Sequence, residues 1–285
     1  MVYRIVQYIQ PWEIDDLDRQ AEQLIRGSYY LSDNSDTIIW DVTMNTEIVD
    51  WQNSNLPESY FLDKFEHIKT KVSYYFEAAF DIDTTVKGCT DKRRICANKQ
   101  QDFIIWLDSD LYFPDRLLPL MVIASKELKD ENFILTPQII KYWDHSWDCI
   151  TNPAFLDQPH NHRDFFDLYS VDSFTQAQDQ GLVRNNQIKF GGGWFNLIKS
   201  SIFTEIPLIE ELGAYAPDDT YLSICGMKLN IPQYILTGVV VSEVGKKFLV
   251  GKDYLKKQLA VKIQDKQKIT DQELYKQIDR FYAEH

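Results

Sequence analysis

The chain has 285 residues, with 30 Lys and Arg against 43 Asp and Glu, hence a formal charge of −13, and 14% of it is aromatic. That length supports one large or two small domains with a core that needs no staples, and 11 Gly plus 10 Pro exclude a fibrous or disordered class. The acid excess argues against a protein that coats nucleic acid.

Arg4-Ile5-Val6-Gln7-Tyr8-Ile9 reads as a first strand, ended by Pro11-Trp12. Ile14, Leu17, Ala21, Leu24 and Ile25 then sit at helical spacing, and Gly27 is expected to end that helix. Residues 37–42 form a second, apolar strand, and Phe61, Phe65, Ile68, Val72, Tyr75 and Phe76 line one face of a helix expected over 58–80. Residues 103–107 are a third strand, Pro114 opens another helix, and Phe133 begins a further strand. Residues 141–190 are polar, rich in His and aromatics and weakly periodic, which predicts a long excursion over the sheet edge. Helix is expected again over 196–230, then a late strand over 234–241 and a charged helical tail in the last 35 residues.

Alternation of strand and helix in the first half predicts an α/β fold, an open, largely parallel sheet with helices on both faces. Ligands of such sheets bind outside the carboxyl ends of the strands, which points to Gln10–Trp12, Asp41–Asn45 and Asp108–Asp110.

Charge is unevenly spread. The first 60 residues carry eleven acids and three bases, whereas Lys87, Lys92, Arg93, Arg94 and Lys99 cluster in 87–99 and eight lysines fall in 246–268. Each basic run is either a solvated surface or a phosphate contact. Cys89, Cys96, Cys149 and Cys225 form no C-x-x-C pair, so reduced thiols and no zinc ribbon are expected. No run of about 18 apolar residues is present, and the start lacks the apolar core of a signal peptide, so no membrane span and a cytoplasmic location are expected.

Asp108-Ser109-Asp110 follows a buried strand directly. On an extended chain the side chains at i and i+2 point the same way, so two carboxylates can converge on one hard cation such as Mg²⁺ or Mn²⁺. The plain alternative is a pair of loop acids capping the next helix.

With that strand and D-x-D, the chain resembles the GT-A glycosyltransferases, within them the family-2-like enzymes that use nucleotide sugars. The likeness runs in order over about residues 3–245, through Phe190-Gly191-Gly192-Gly193-Trp194-Phe195-Asn196 and Leu212–Leu222 with its Asp218-Asp219 pair. It implies a Rossmann-like open mixed sheet flanked by helices, with a donor half at about 1–140, an acceptor half at about 141–245 and a basic helical tail over 246–285. It implies that Asp110 ligates the metal, that Asp108 contacts the donor's ribose or a metal-bound water or joins Asp110 as a ligand, that Asp41 lies by the nucleoside and that Asp219, beside Asp218, is the general base. Arg93 and Arg94 become candidates for a cation on the diphosphate, and Gln10, Gly192, Gly193 and Trp194 for donor contacts. Many relatives place a metal-binding His after the last strand, where this chain has Val239–Gly245; Glu243 or His162 would substitute.

The resemblance thus implies a metal-dependent, inverting transfer from a nucleotide sugar, UDP-linked, to an acceptor hydroxyl. The acceptor is a glycan or, as in enzymes of tailed phages working in the host cytoplasm, a hydroxymethylated DNA base. Two other classes stay open: a nucleotidyltransferase that makes nucleotide sugars, and a non-catalytic sugar-nucleotide-binding module. The glycine-rich phosphate loop usual in the former is absent from Gln10-Pro11-Trp12-Glu13.

Overall fold

The computed structural model describes residues 1–31, 35–47, 56–141, 181–184, 193–243 and 270–285. The element order is β1 (Val2–Ile9), a 3-10 turn (Pro11–Glu13), α1 (Ile14–Ser28), β2 (Thr37–Met44), α2 (Glu58–Val72), β3 (Glu77–Ile82) and α3 (Cys89–Ala97). It continues with β4 (Phe103–Leu107), β5 (Leu111–Tyr112), α4 (Leu117–Glu127), β6 (Ile134–Lys141), β7 (Leu182–Arg184) and β8 (Phe195–Lys199). A short α5 (Ile202–Glu205), a second 3-10 turn (Glu210–Leu212), α6 (Asp218–Lys228), β9 (Gln233–Glu243) and α7 (Asp271–Glu284) complete the described elements.

The strands form one mixed sheet in the order β3-β2-β1-β4-β8-β6-β9, with β5 and β7 both pairing with β9. β3, β2, β1 and β4 run parallel, and β8 is antiparallel to both β4 and β6. The carboxyl ends of β1, β2 and β4 therefore share one edge. Pairing of Leu107 with Phe195 brings the start of β8 to that same edge.

Alternation along β4 divides its side chains between two cores. Phe103, Ile105 and Leu107 pack with α1, α2 and α4, while Ile104 and Trp106 pack with α5, α6 and α7. At about 25 cal/mol per Å² of apolar surface, this two-sided burial is the main force holding the sheet. The helical tail is expected at the C-terminus, and its final helix lies in the second core: Leu274, Ile278 and Phe281 are buried with Tyr221, Leu222 and Cys225. No helix among the described residues is long and apolar enough to cross a membrane.

Several boundaries differ from expectation. The helix predicted over 58–80 stops at Val72, after Lys69 and Lys71 in its last turn, and the chain turns into edge strand β3, of which only Phe80 is buried. The helix predicted from residue 196 begins as β8, whose residues Phe195 to Ile198 are buried. Helix α1 continues through Gly27 to Ser28. Gly27 serves close packing instead: a Cβ there would lie 2.5 Å from the Asp115 carbonyl oxygen. Strand β2 runs past Asp41 to Met44. Most of the expected excursion at 141–190 lies outside the described residues, as does the basic run 246–268.

Candidate active site at the carboxyl edge of the sheet

The D-x-D segment is shaped by the first helix. Asp108 leaves β4, and the chain turns at Ser109 and Asp110 before β5. Strand alternation therefore does not orient these acids; side chains from the 3-10 turn and α1 do. The Gln20 amide donates to the carbonyls of Asp108 (2.8 Å), Ser109 (3.1 Å) and Leu111 (3.1 Å). Gln20 in turn accepts a 2.6 Å bond from Gln7, and Gln7 accepts one from the Trp40 indole. Ser109 donates its hydroxyl to Glu13, 2.7 Å away, while the other Glu13 oxygen accepts the Gln10 N–H. Apart from the part-buried bond to the Asp108 carbonyl, every link in this chain is buried, where an unmet carbonyl or amide is costly.

Glu243 closes the far side of the turn. Its backbone pairs with Leu111, one residue from Asp110. Among the described residues, no three His, Cys, Asp or Glu side chains gather closely enough to hold a metal. His162 and Gly192 lie outside the described residues.

Arg93, on α3, joins the D-x-D turn to the acids of α6. Its guanidinium donates 2.7 Å to Asp218 Oδ1, 2.8 Å to Asp108 Oδ1 and 2.8 Å to the Gly193 carbonyl. It lies 4.5 Å above the Trp106 ring. Side-chain exposure is 6% for Arg93, 1% for Asp218 and 38% for Asp108, so only the last carboxylate opens to solvent. Burial works against the Arg93 charge, but Asp218 and Asp108 outweigh it and raise its pKa. Burial pushes the Asp218 carboxyl above the usual range, opposed by Arg93 and aided by the Asp219 charge. Cys89, one helical turn earlier, has its thiol pushed up to about 12 by burial, against the pull of Arg93.

Asp219 stands at the first turn of α6. Its Oδ2 accepts the Gly193 N–H at 2.8 Å and its Oδ1 the Thr220 N–H at 2.7 Å. The close approach at Gly193 is made by Arg93: a Cβ would sit 2.7 Å from Nη1 and 2.9 Å from Nη2. Gln10 lies at the same edge and donates 3.0 Å to the Tyr215 hydroxyl.

Other expected residues are elsewhere. Asp41 sits mid-strand, 1% exposed, and pairs with Arg4 (2.6 Å), Lys92 and Lys99 (2.7 Å) on the α3 side of the sheet. Arg94 turns away from Arg93: it donates to the carbonyls of Leu208 (2.9 Å) and Gly213 (2.8 Å) and so ties α3 to the loop before α6. Trp194 is a core residue, 2% exposed. Gln20 and Glu13 escape a reading by motif, because their partners are backbone carbonyls and a serine about ninety residues away in sequence.

A mixed sheet of this order, flanked by helices on both faces, is the GT-A fold. No protein-family model and no curated protein sequence matches the chain. Solved structures do resemble it. The crystal structure of GalNAc-T7 with UDP, GalNAc and Mn²⁺ is similar over 86% of this chain and 44% of that one, at TM-score 0.53 and 14% identity. The mannosyltransferase PcManGT from Pyrobaculum calidifontis, in complex with GDP-Man and Mn²⁺, is similar over 87% of this chain and 58% of its own, at TM-score 0.48 and 14% identity. S. aureus TarS 1-349 is similar over 100% of this chain and 70% of its own, at TM-score 0.48 and 9% identity. The chain thus spans less than half the length of GalNAc-T7.

Proposed function

We propose that the protein is a glycosyltransferase that moves a sugar from a nucleotide-sugar donor to an acceptor hydroxyl. One observation carries this reading: Asp108 of the D-x-D turn and the Asp218-Asp219 pair of α6 meet at the carboxyl edge of a GT-A sheet, joined by Arg93 and Gly193. The donor half is about 1–140 and the acceptor half about 141–245. UDP is the favoured leaving nucleotide, because GalNAc-T7 was solved with UDP and shares the fold.

Asp219 is the group placed to accept the acceptor's proton. It is held by two backbone N–H groups and is partly exposed. As the acceptor oxygen bonds to the anomeric carbon, its proton passes to the Asp219 carboxylate. The bond from that carbon to the diphosphate breaks, and its electron pair leaves with the nucleotide. A single displacement of this kind inverts the anomeric centre.

The donor set suits a hard divalent cation, Mn²⁺ or Mg²⁺: Asp108 opens to solvent, and Asp110 stands one residue from the backbone pair Leu111–Glu243. Asp108 and Asp110 would hold it. When bound, the ion supplies charge neutralisation for the departing diphosphate.

A thermal-shift panel of nucleotide sugars with and without Mn²⁺ tests the reading. The expected result is one donor class whose stabilisation requires the metal. No metal-dependent shift with any nucleotide sugar overturns it. Asp110→Asn is expected to abolish turnover with the fold intact. Asp219→Asn is expected to abolish transfer while calorimetry still detects the donor. Loss of donor binding in that variant removes the base assignment.

A further inference from the structure

Arg93 bonds to both the donor-side and the acceptor-side acids, and both its terminal nitrogens are engaged by the protein. One terminal nitrogen is bonded to Asp218, and the other is shared by Asp108 and the Gly193 carbonyl. The same glycine gives its N–H to Asp219. Trp106 backs the guanidinium plane, and the side chain is 6% exposed. A cation that grips a diphosphate would turn its donors outward to the donor site. We propose instead that Arg93 is a positioning residue: with Gly193 it forms a clamp that fixes Asp219, Asp218 and Asp108 relative to one another. The inference deepens the glycosyltransferase reading above and rests on it for the role of Asp219.

The chemistry of the parts fits this role. A guanidinium is a planar fork whose donors meet three acceptors in fixed, separated directions; an ammonium has three donors too, but on one compact nitrogen that cannot span the same acceptors. Asp218 and Asp108 belong to α6 and the β4 turn, 110 residues apart in sequence and facing one buried cation. Two carboxylates so close would repel without it. Gly193 completes the clamp because it has no Cβ. Any other residue would place one 2.7 Å from the nearer terminal nitrogen and push the fork off its acceptors. Arg93 and Gly193 therefore act on Asp219 as a unit.

The test uses Arg93→Lys, Gly193→Ala and the double variant of the full chain. Binding is measured by calorimetry with UDP and Mn²⁺, and turnover by UDP release from the nucleotide sugar that wild type uses best. Both single variants are expected to lower kcat by about 100-fold, the cost of a catalytic group misplaced by about 1 Å, with UDP affinity and donor KM changed far less, through Asp108 alone. The double variant is expected to be no slower than the worse single one. Loss of UDP binding in Arg93→Lys matching its loss of turnover means that the arginine grips the diphosphate, and overturns the clamp. Wild-type kcat in both variants overturns it too. A wild-type chain that neither binds UDP nor turns over any nucleotide sugar defeats the glycosyltransferase reading, and the clamp is then decided by melting alone. Non-additive losses of melting temperature in the double variant support it, and additive losses overturn it.

Discussion

The amide of Gln20 on α1 donates 2.8 Å to the carbonyl of Asp108, at the point where β4 ends and the D-x-D turn begins. Gln20 thus holds the backbone that carries both acids. Replacing it with Met keeps the bulk and removes the donors. The Asp108, Ser109 and Leu111 carbonyls then lose this partner, and the Gln7 amide loses its acceptor. Gln20→Met is expected to cost about 1–3 kcal/mol in urea unfolding. It is also expected to weaken Mn²⁺-dependent UDP binding, because the turn is free to rearrange. Unchanged stability and unchanged UDP affinity defeat this assignment.

Asp41 makes a prediction about pH. Burial pushes its carboxyl up, but Lys92 and Lys99 outweigh burial and hold it down to about 2. The folded-state value lies below the unfolded one. Its stabilisation is therefore complete above the ordinary carboxylate range and is lost as pH falls through about 2. Asp41→Asn leaves the buried Arg4 without its counter-charge and Lys92 with only the exposed Asp81 at 3.8 Å, at an expected cost of about 3–5 kcal/mol near neutral pH. Urea unfolding over an acid pH series checks both points. The gap between wild type and variant should narrow as pH falls below about 4, since the unfolded chain's Asp41 then takes up a proton while the folded carboxyl, held down to about 2, stays ionised. A gap independent of pH contradicts the cluster.

Much of the fold was legible in hydrophobic period. Ile105 and Trp106 mark β4 because a five-residue apolar run bounded by polar residues fits only a buried strand. α3 left little such signal: its buried residues include Thr90, Lys92 and Arg93, whose partners are other charges and carbonyls. β3 resembled a continuing helix because Phe76 and Phe80 stand four apart with two alanines between, and only the turn after Val72 and pairing with β2 override that spacing. In the candidate site, Asp108, Asp110 and Asp218-Asp219 were legible as motifs. Their joining was not, since the Arg93–Asp218 bond spans 125 positions and no local pattern encodes it.

Two glycines should respond in opposite directions to the same change. A Cβ at Gly88 would meet the Ala214 carbonyl oxygen at 2.3 Å and the Tyr215 ring at 2.7 Å. Backbone and a packed ring cannot yield cheaply, so Gly88→Ala is expected to cost about 1–3 kcal/mol. A Cβ at Gly226, inside α6, would find only ordinary contacts of 3.8 to 3.9 Å with Ile231, Ile134 and Ile206. Gly226→Ala is expected to stabilise by about 0.5–1 kcal/mol through helix propensity and added packing. Thermal unfolding of the two variants measures both signs, and a destabilised Gly226→Ala contradicts the packing around α6.

The last helix lies in the same core as the helix that carries Asp218 and Asp219. Thr270 caps α7 by accepting the Glu273 N–H, and Phe281 lies edge-on to Tyr221 of α6 at 6.4 Å between ring centres. Helix α6 begins with Asp218 and Asp219, so α7 braces the element that carries them. Phe281→Ala is expected to cost about 3–5 kcal/mol, as for a large aromatic removed from a core. Lys276→Ala on the exposed face of α7 should change stability by less than about 0.5 kcal/mol. Chemical denaturation separates the two cases. Equal, small effects would make α7 an appendage, whereas the expected contrast makes it part of the same cooperative unit as the candidate active site.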